Sequence, residues 1–366
     1  MASKRQVAAV SAGNARPPPT GGARPLALDE AAARLGTVLT PEVRAAARRL
    51  PLRFPADYLE LADPADPADP IRAIGWPAPE ELADDPGALP DPVGDLARRD
   101  GALVVRKYPD RALLLLTSRC HFYCRFCFRA GHGADPGLDE IERAVAALAH
   151  DAALREVILS GGDPLTLDDA FLGAVLALLH GVPQLTGLRL HTRAPVHDPA
   201  RVTDALCATL AQHTPRPLRV VVHVTHPREL SPGVDAALQR LAGHGFALLD
   251  QTVLLRGVND DVRVLHALYR GLAARGVAPH HLHHPDRIAG TARFRMSIPR
   301  GLALYTELCA LLPPGERPRY VLDLPDGSGK VDVASLEPCG PRTWRAVHPD
   351  GRTSEYVDIE DCRPTP

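Results

Sequence analysis

The 366-residue chain has no apolar stretch of the roughly 18 to 20 residues that a membrane span requires, and no apolar core near its N-terminus of the kind a secretory leader carries. An excess of one charge is missing too. With 42 Lys and Arg against 44 Asp and Glu the net charge is -2, too small to imply a nucleic-acid or anionic-membrane partner. Aromatic residues make up only 4% of the chain, and the seven cysteines are an odd count in which Cys207, Cys309, Cys339 and Cys362 stand singly, which argues against a disulfide framework. The rest of the composition, 45% hydrophobic and 23% charged, is that of a soluble globular protein able to bury a sizeable core. A cytoplasmic setting, which keeps thiols reduced, is the expectation.

The other three cysteines are Cys120, Cys124 and Cys127, a C-x3-C-x2-C run directly after the apolar stretch ALLLLTS. Structural zinc normally takes four ligands, often as paired C-x2-C knuckles, and no second pair lies at that spacing. Three neighbouring thiolates can hold three irons of a [4Fe–4S] cluster and leave the fourth iron open to a small molecule, with zinc as the competing reading. Phe122, Tyr123, Phe126 and Phe128 inside and beside the run would shield such a cluster from water. The loop resembles the signature of the radical S-adenosylmethionine (SAM) superfamily. There the open iron chelates the methionyl group of SAM, and one electron releases a 5′-deoxyadenosyl radical. Ser160, Gly161, Gly162 and Asp163 follow the apolar strand REVIL and resemble the SAM-amino-group motif of that superfamily, with glycines that permit close backbone approach.

Residues 1–26 are rich in Pro, Gly, Ala and basic residues, and are expected to be a disordered tail. Residues 27–100 read as helices broken by Pro-rich turns, with LADPADPADPIRAIGWP as an extended acidic connector. From 101 to 298 six apolar strand candidates, ALLLLTS, REVILSG, LRLHTRA, LRVVVHVTH, FALLDQTVL and APHHLHH, alternate with helical stretches at about 30-residue spacing, which predicts a parallel sheet covered by helices. With the cysteine loop after the first strand, this α/β pattern resembles the open, partial (β/α)6 barrel of radical SAM enzymes. Residues 299–366 form a short C-terminal segment. In it YVLDLPDGSGK leads from a strand through a Gly-rich turn to Lys330. A surface lysine is the plain reading. A lysine on a flexible turn can also form a Schiff base with an aldehyde, commonly pyridoxal 5′-phosphate (PLP).

The series RKYPDRALLLLTSRCHFYCRFCFR, SGGDPLTLDD, LRLHTRAPV, HVTHPREL, LDQTVLLRGVNDD, APHHLHHPDRIAGTARFR and YVLDLPDGSGK resembles the lysine 2,3-aminomutase family, including its branch that modifies a lysine of elongation factor P. The resemblance covers about residues 50–350. It implies that Lys330 carries PLP, that Lys107, Tyr108 and Arg111 contact the PLP phosphate, and that Arg129 binds the substrate α-carboxylate. It places Gly161 to Asp163, Arg193, His223 and Gln251 on the SAM side, with His226 on the same face. Asp286 and Asp323 fall where the lysine enzymes grip the distant ammonium, which implies a cationic amino acid, L-lysine first and arginine next, undergoing a radical 1,2-amino shift.

Arg287, Arg293 and Arg295 could pair with Asp286 instead, which would leave room for an acidic substrate. The same radical start could also end in elimination or decarboxylation. A protein lysine is a further candidate substrate, with the N-terminal helical region as its dock. A non-catalytic relative that only binds PLP or SAM is the remaining alternative. The resemblance implies a small-molecule substrate and an electron donor such as flavodoxin or ferredoxin, and allows a homo-oligomer. The single Cys362 in place of a Cys-rich C-terminal motif gives no ground for the zinc-tied tetramer of the better-known lysine enzymes. Lys107 in place of an arginine, and Asp326 and Ser328 in the glycine turn, also depart from the family pattern.

Overall fold

A computed structural model describes residues 24–130, 134–212 and 217–359. All six strand candidates are strands: β1 (Arg111–Thr117), β2 (Glu156–Gly161), β3 (Gly187–Thr192), β4 (Leu218–His223), β5 (Ala247–Val253) and β6 (Ala278–His283). A seventh, β7 (Arg319–Leu324), continues the parallel series, and β8 (Gly329–Asp332) runs antiparallel beside it. At the other edge Val104–Val105 and Arg99–Asp100 add two antiparallel strands to β1, making a sheet of ten. Because neighbours in the sheet follow sequence order, each crossover advances in one direction, and the twisted sheet curls toward a barrel with its helices outside.

The outer layer consists of α1 (Leu138–Ala149), α2 (Asp169–His180), α3 (Asp204–Gln212), α4 (Pro232–Gly243), α5 (Val262–Ala273) and α6 (Ile298–Leu311). Their starts follow from local chemistry. Asp168 accepts a hydrogen bond from Phe171 N at 2.8 Å, Asp261 from Arg263 N at 2.7 Å and Ser297 from Arg300 N at 3.3 Å, each satisfying a main-chain donor that a helix leaves open. Ile141, Val145 and Leu148 of α1, and Leu265, Leu268 and Leu272 of α5, recur at helical spacing and bury against the sheet. Along β3 burial alternates residue by residue, as a strand with two different faces requires. In β6 the register shifts between Pro279 and His281.

The ladder is open, yet its two edges approach. Lys330 N on β8 donates to the Tyr108 hydroxyl at 2.8 Å, a contact between residues 222 apart in sequence. Gly94 and Gly327 meet backbone to backbone: a Cβ on Gly94 would lie 2.2 Å from Gly327 N, and both residues have positive φ, 70° and 73°. β7 thus belongs to the same sheet as the expected 101–298 barrel, with His281, Leu282 and His283 of β6 paired to Arg319, Tyr320 and Val321. The chain ends in a small antiparallel sheet, Glu337–Pro338, Thr343–Val347 and Thr353–Val357. Of the expected disordered tail, residues 1–23 lie outside the described residues, whereas Pro25–Leu26 pairs with Phe54–Pro55. Cys362 also lies outside them.

The N-terminal region carries helices at Leu28–Arg34, Pro41–Arg49, Ala56–Leu59 and Pro70–Gly75. The Asp-Pro repeat between them is not extended. Asp63 and Asp66 each accept a hydrogen bond from the main-chain N–H two residues on, at 2.9 and 2.8 Å, so each repeat folds into an Asx turn. The last of the series, Asp69, is fully buried, caps Pro70–Gly75 through Arg72 N at 2.8 Å and pairs with Arg228 at 2.6 Å. Among the described residues no helix is long and apolar enough to cross a membrane.

Candidate active site

The carboxyl ends of the strands surround a cavity of about 1450 Å³, lined by Cys120, Cys124, Cys127, Asp286, Asp323 and Lys330 among others. Ligands in parallel α/β folds sit at this end because the crossover loops gather there. The cysteine loop leaves β1 and is pinned from two sides. On the barrel side, Gly162 N donates to Thr117 O at 2.5 Å and Asp163 N to Arg119 O at 2.7 Å. Both glycines are needed for that approach. A Cβ on Gly161, whose φ is 128°, would meet Thr117 O at 2.4 Å, and one on Gly162 would meet Arg119 O at 2.2 Å. The glycines expected to admit a ligand therefore admit the base of the cysteine loop itself.

On the other side the N-terminal region holds the loop. Tyr123 N donates to Arg53 O at 3.2 Å and Arg125 N to Ile74 O at 2.8 Å. The Arg125 guanidinium, fully buried, binds Glu81 through Nε at 3.0 Å and through Nη2, and donates to Leu50 O at 2.6 Å. Phe122 turns into this region, edge-on to Phe54 and Tyr58 and stacked on His197 at 4.2 Å, so it packs the loop as well as lining the cavity. Phe126 and Phe128 lie under the guanidinium groups of Arg193 and Arg129, at 5.6 and 4.7 Å. The N-terminal region thus takes part in holding the cysteines.

The Asp163 carboxylate is filled from inside the protein. Oδ1 accepts from Leu165 N and Thr192 Oγ1, Oδ2 from the main-chain N–H of Arg193 and Ala194, all between 2.7 and 3.0 Å. It fixes the start of the segment that carries Arg193. The Arg193 Nη1 donates to Cys124 Sγ at 2.8 Å, while Nη2 donates to Thr225 Oγ1 at 3.0 Å and Glu229 Oε1 at 2.9 Å. Burial pushes the thiols of all three loop cysteines up, Cys127 to about 11, and at Cys124 the Arg193 guanidinium works against that rise. Among the described residues no group of three or more His, Cys, Asp or Glu side chains converges on one metal ion. A cluster asks something different of the three thiols, since each takes a separate iron.

Lys330 lies on β8, not on the flexible turn, directly across the ladder from Asp323. Its Nζ stands 2.7 and 2.9 Å from the two Asp323 oxygens, and the 33% of its side chain that is exposed faces the cavity. Burial opposes the Lys330 ammonium, but Asp323 outweighs it and holds the pKa above its ordinary value. Asp323 is in turn held well below the usual carboxylate range, burial being overcome by Lys330. Asp286, on the same wall, is pushed up to about 7 by burial and by the Asp323 charge. The three arginines that could have neutralised it bind elsewhere: Arg287 to Gly87 O and Val357 O, Arg293 to Glu81, and Arg295 to Asp85.

Arg129 donates through Nε and Nη2 to one Asp95 oxygen at 3.1 and 2.9 Å, and through Nη1 to Ser160 at 3.1 Å. Asp95 also pairs with Lys107 at 2.8 Å, which additionally donates to Val93 O and lies 3.9 Å from Asp323. A phosphate at Lys107 would therefore share or displace Asp95. Tyr108 receives Lys330 N, and Arg111 stacks over its ring at 4.7 Å while pairing with Asp110. His223 and Gln251 line the cavity. His226 instead caps the turn Pro227–Glu229, its Nδ1 accepting from Arg228 N.

Sequence reasoning missed Asp95, Glu229 and the histidines of β6. The register shift in β6 lets both His280 and His281 reach the cavity, where His283 joins them. Burial keeps these rings neutral, pushing His280 down to about 4 and His281 to about 2. The Nε2 atoms of His191, His223, His280 and His283 are buried without a protein partner, as befits walls shaped for a polar ligand. A thiol triad at one side, an amine with its carboxylate at the other and imidazoles with free Nε2 atoms between them suit an iron–sulfur cluster, SAM and PLP in one chamber.

Residues 114–268 match the family model described as the radical SAM superfamily. The chain is 34% identical over 280 residues to the L-lysine 2,3-aminomutase of Fusobacterium nucleatum, covering 75% of this chain and 65% of that one. It is likewise 34% identical over 280 residues to the L-lysine 2,3-aminomutase of Clostridium subterminale, at 75% and 67%. The glutamate 2,3-aminomutase of Clostridioides difficile matches at 32% over 280 residues, 75% and 66%. The chain spans slightly less than two thirds of the first of these relatives.

Proposed function

Because this chain belongs to the lysine 2,3-aminomutase family of the radical SAM superfamily, we propose that it is an isomerase that moves the α-amino group of a cationic amino acid to the β-carbon. L-Lysine is the favoured substrate and arginine the next. The observation that carries the substrate class is the pair Asp286 and Asp323. Two carboxylates line the cavity, the neighbouring arginines are bound elsewhere, and burial with the Asp323 charge beside it raises the pKa of Asp286, so that a cation bound there would favour its ionised form.

In this reading Cys120, Cys124 and Cys127 hold a [4Fe–4S] cluster, the Ser160–Asp163 turn with His223 and Gln251 holds SAM, and Lys330 carries PLP with Tyr108, Arg111 and Lys107 near its phosphate. Cluster and SAM supply a carbon-centred radical, and PLP supplies an electrophile for the migrating nitrogen. The chain's own groups supply placement. Arg129 would offer the substrate carboxylate the N–H groups left over once Asp95 holds Nε and Nη2 and Ser160 accepts one hydrogen of Nη1. Asp323 holds Lys330 as an ammonium, and with Lys330 given over to PLP the Asp323 carboxylate would be free to face the substrate's distal cation. Walls of buried apolar and neutral imidazole groups exclude water from a radical reaction that needs no side-chain base.

The test is anaerobic incubation with SAM, PLP, dithionite and, separately, lysine, arginine, ornithine and glutamate, with products identified by NMR because an isomerisation leaves the mass unchanged. A β-amino product from lysine or arginine is expected, lost at least 1000-fold in Lys330→Ala. Turnover of glutamate alone, or turnover that survives Lys330→Ala, would refute the proposal, and loss of ammonia or carbon dioxide would redirect it to elimination or decarboxylation.

A further inference from the structure

Arg193 is the only charged side chain hydrogen-bonded to a cysteine of the loop among the described residues, and its position is fixed by groups far from it in sequence. Its main-chain N–H is bound by Asp163 at 2.8 Å, its Nη2 by Thr225 and Glu229, and its face lies against Phe126. Glu229 is completely buried. One of its oxygens accepts from Arg193 and from the Tyr58 hydroxyl, the other from the main-chain N–H of Thr225 and His226. Tyr58, on the helix Ala56–Leu59, is itself buried. A continuous path therefore runs from the N-terminal region through Tyr58, Glu229 and Arg193, all buried, to the half-buried Cys124, so solvent screens it little.

We propose that Glu229 and Tyr58 act through Arg193 as positioning residues that set the reduction potential of the cluster held by Cys124; this rests on the cluster assignment above. A guanidinium donating to a ligand sulfur stabilises the cluster's added electron and raises its potential. Glu229 fixes the guanidinium in place and offsets part of its charge. The Tyr58 hydroxyl, by donating to the shared oxygen, draws charge from Glu229. The three groups therefore act with predictable and opposite signs: Arg193 and Tyr58 push the potential up, and Glu229 holds it down. Electron delivery to a low-potential cluster is the step such a relay governs, and it is distinct from substrate selection at Asp286 and Asp323.

The experiment is an EPR-monitored redox titration of the full chain after anaerobic cluster reconstitution, without SAM, alongside iron and sulfide analysis. Arg193→Gln is expected to shift the midpoint to a more negative value and Glu229→Gln to a more positive one, with iron content unchanged in both. Tyr58→Phe, the mildest change, is expected to shift it in the same direction as Arg193→Gln but less, and it serves if the other two do not fold. Midpoints indistinguishable from wild type, or shifts of the same sign in Arg193→Gln and Glu229→Gln, overturn the proposal and leave the cluster assignment standing. A wild-type chain that takes up no cluster overturns both.

Discussion

Asp286 has an unusual burden for a carboxyl group: it sits beside the negative charge of Asp323, and its pKa is pushed up to about 7. The folded chain therefore binds a proton there that the unfolded chain has already released above pH 4. Stability contributed at this site is full at low pH and falls as pH rises from about 4 to about 7, the reverse of a salt-bridged carboxylate. Asp286→Asn should remove that slope, so that the variant's melting temperature gains on wild type across this window. The same proton reports the ligand. Near pH 6.5 a cationic amino acid bound between the aspartates should drive a proton off Asp286, measurable by calorimetry in buffers of different ionisation enthalpy. Binding of glutamate should not.

The residues legible from sequence were those whose chemistry or spacing is rare. Three cysteines within eight residues, and a lysine following a glycine turn, announce themselves. Asp95 and Glu229 did not, because each is a lone acid in an unremarkable loop whose partner lies 34 or 36 residues away. Asp163 was legible as important, but that its carboxylate also organises the next strand's end, through four donors, only the folded backbone reveals.

At the scale of elements, the junction between β2 and the cysteine loop is set by distance of closest approach. Gly162→Ala places a methyl 2.2 Å from Arg119 O, and backbone cannot rotate aside as a side chain can. A cost of about 1–3 kcal/mol follows from overpacking, and it falls on the loop that presents Cys120. The expected outcome is a chain with wild-type circular dichroism whose iron content after reconstitution drops by at least half. Gly187→Ala, with nothing within 4 Å of the added methyl, is the control and should match wild type. The strands themselves were legible as apolar runs of strand length, and all six sit where their runs lie. The slip in β6 was not, because a bulge changes which side a residue faces without changing composition.

At the scale of the whole molecule, the N-terminal region and the barrel are one structural unit through the cysteine loop. Arg125 is buried in that region, and Glu81 is its counter-charge. Glu81→Ala leaves a buried guanidinium unpaired, a loss of about 3–5 kcal/mol. Urea unfolding should show it as a lower midpoint, and cluster uptake should fall with it. Sequence pattern identified helices in this region but not what they hold, since its contacts with the loop are main-chain hydrogen bonds, the ion pairs Arg125–Glu81 and Arg129–Asp95 and the packing of Phe122 on Phe54 and Tyr58 rather than a motif.

The seam between the sheet's edges carries a further consequence, for the order in which the molecule matures. Tyr108, before β1, and Lys330, on β8, are 222 residues apart, so the chamber's lysine wall forms only after nearly the whole chain has left the ribosome. The main-chain hydrogen bonds that hold the cysteine loop come from β1, the turn after β2 and the N-terminal region, all synthesised earlier. The base of the cysteine loop can thus form before the Lys330 wall during synthesis, with Tyr108 and Gly94 left as the docking edge that the last hairpin must find.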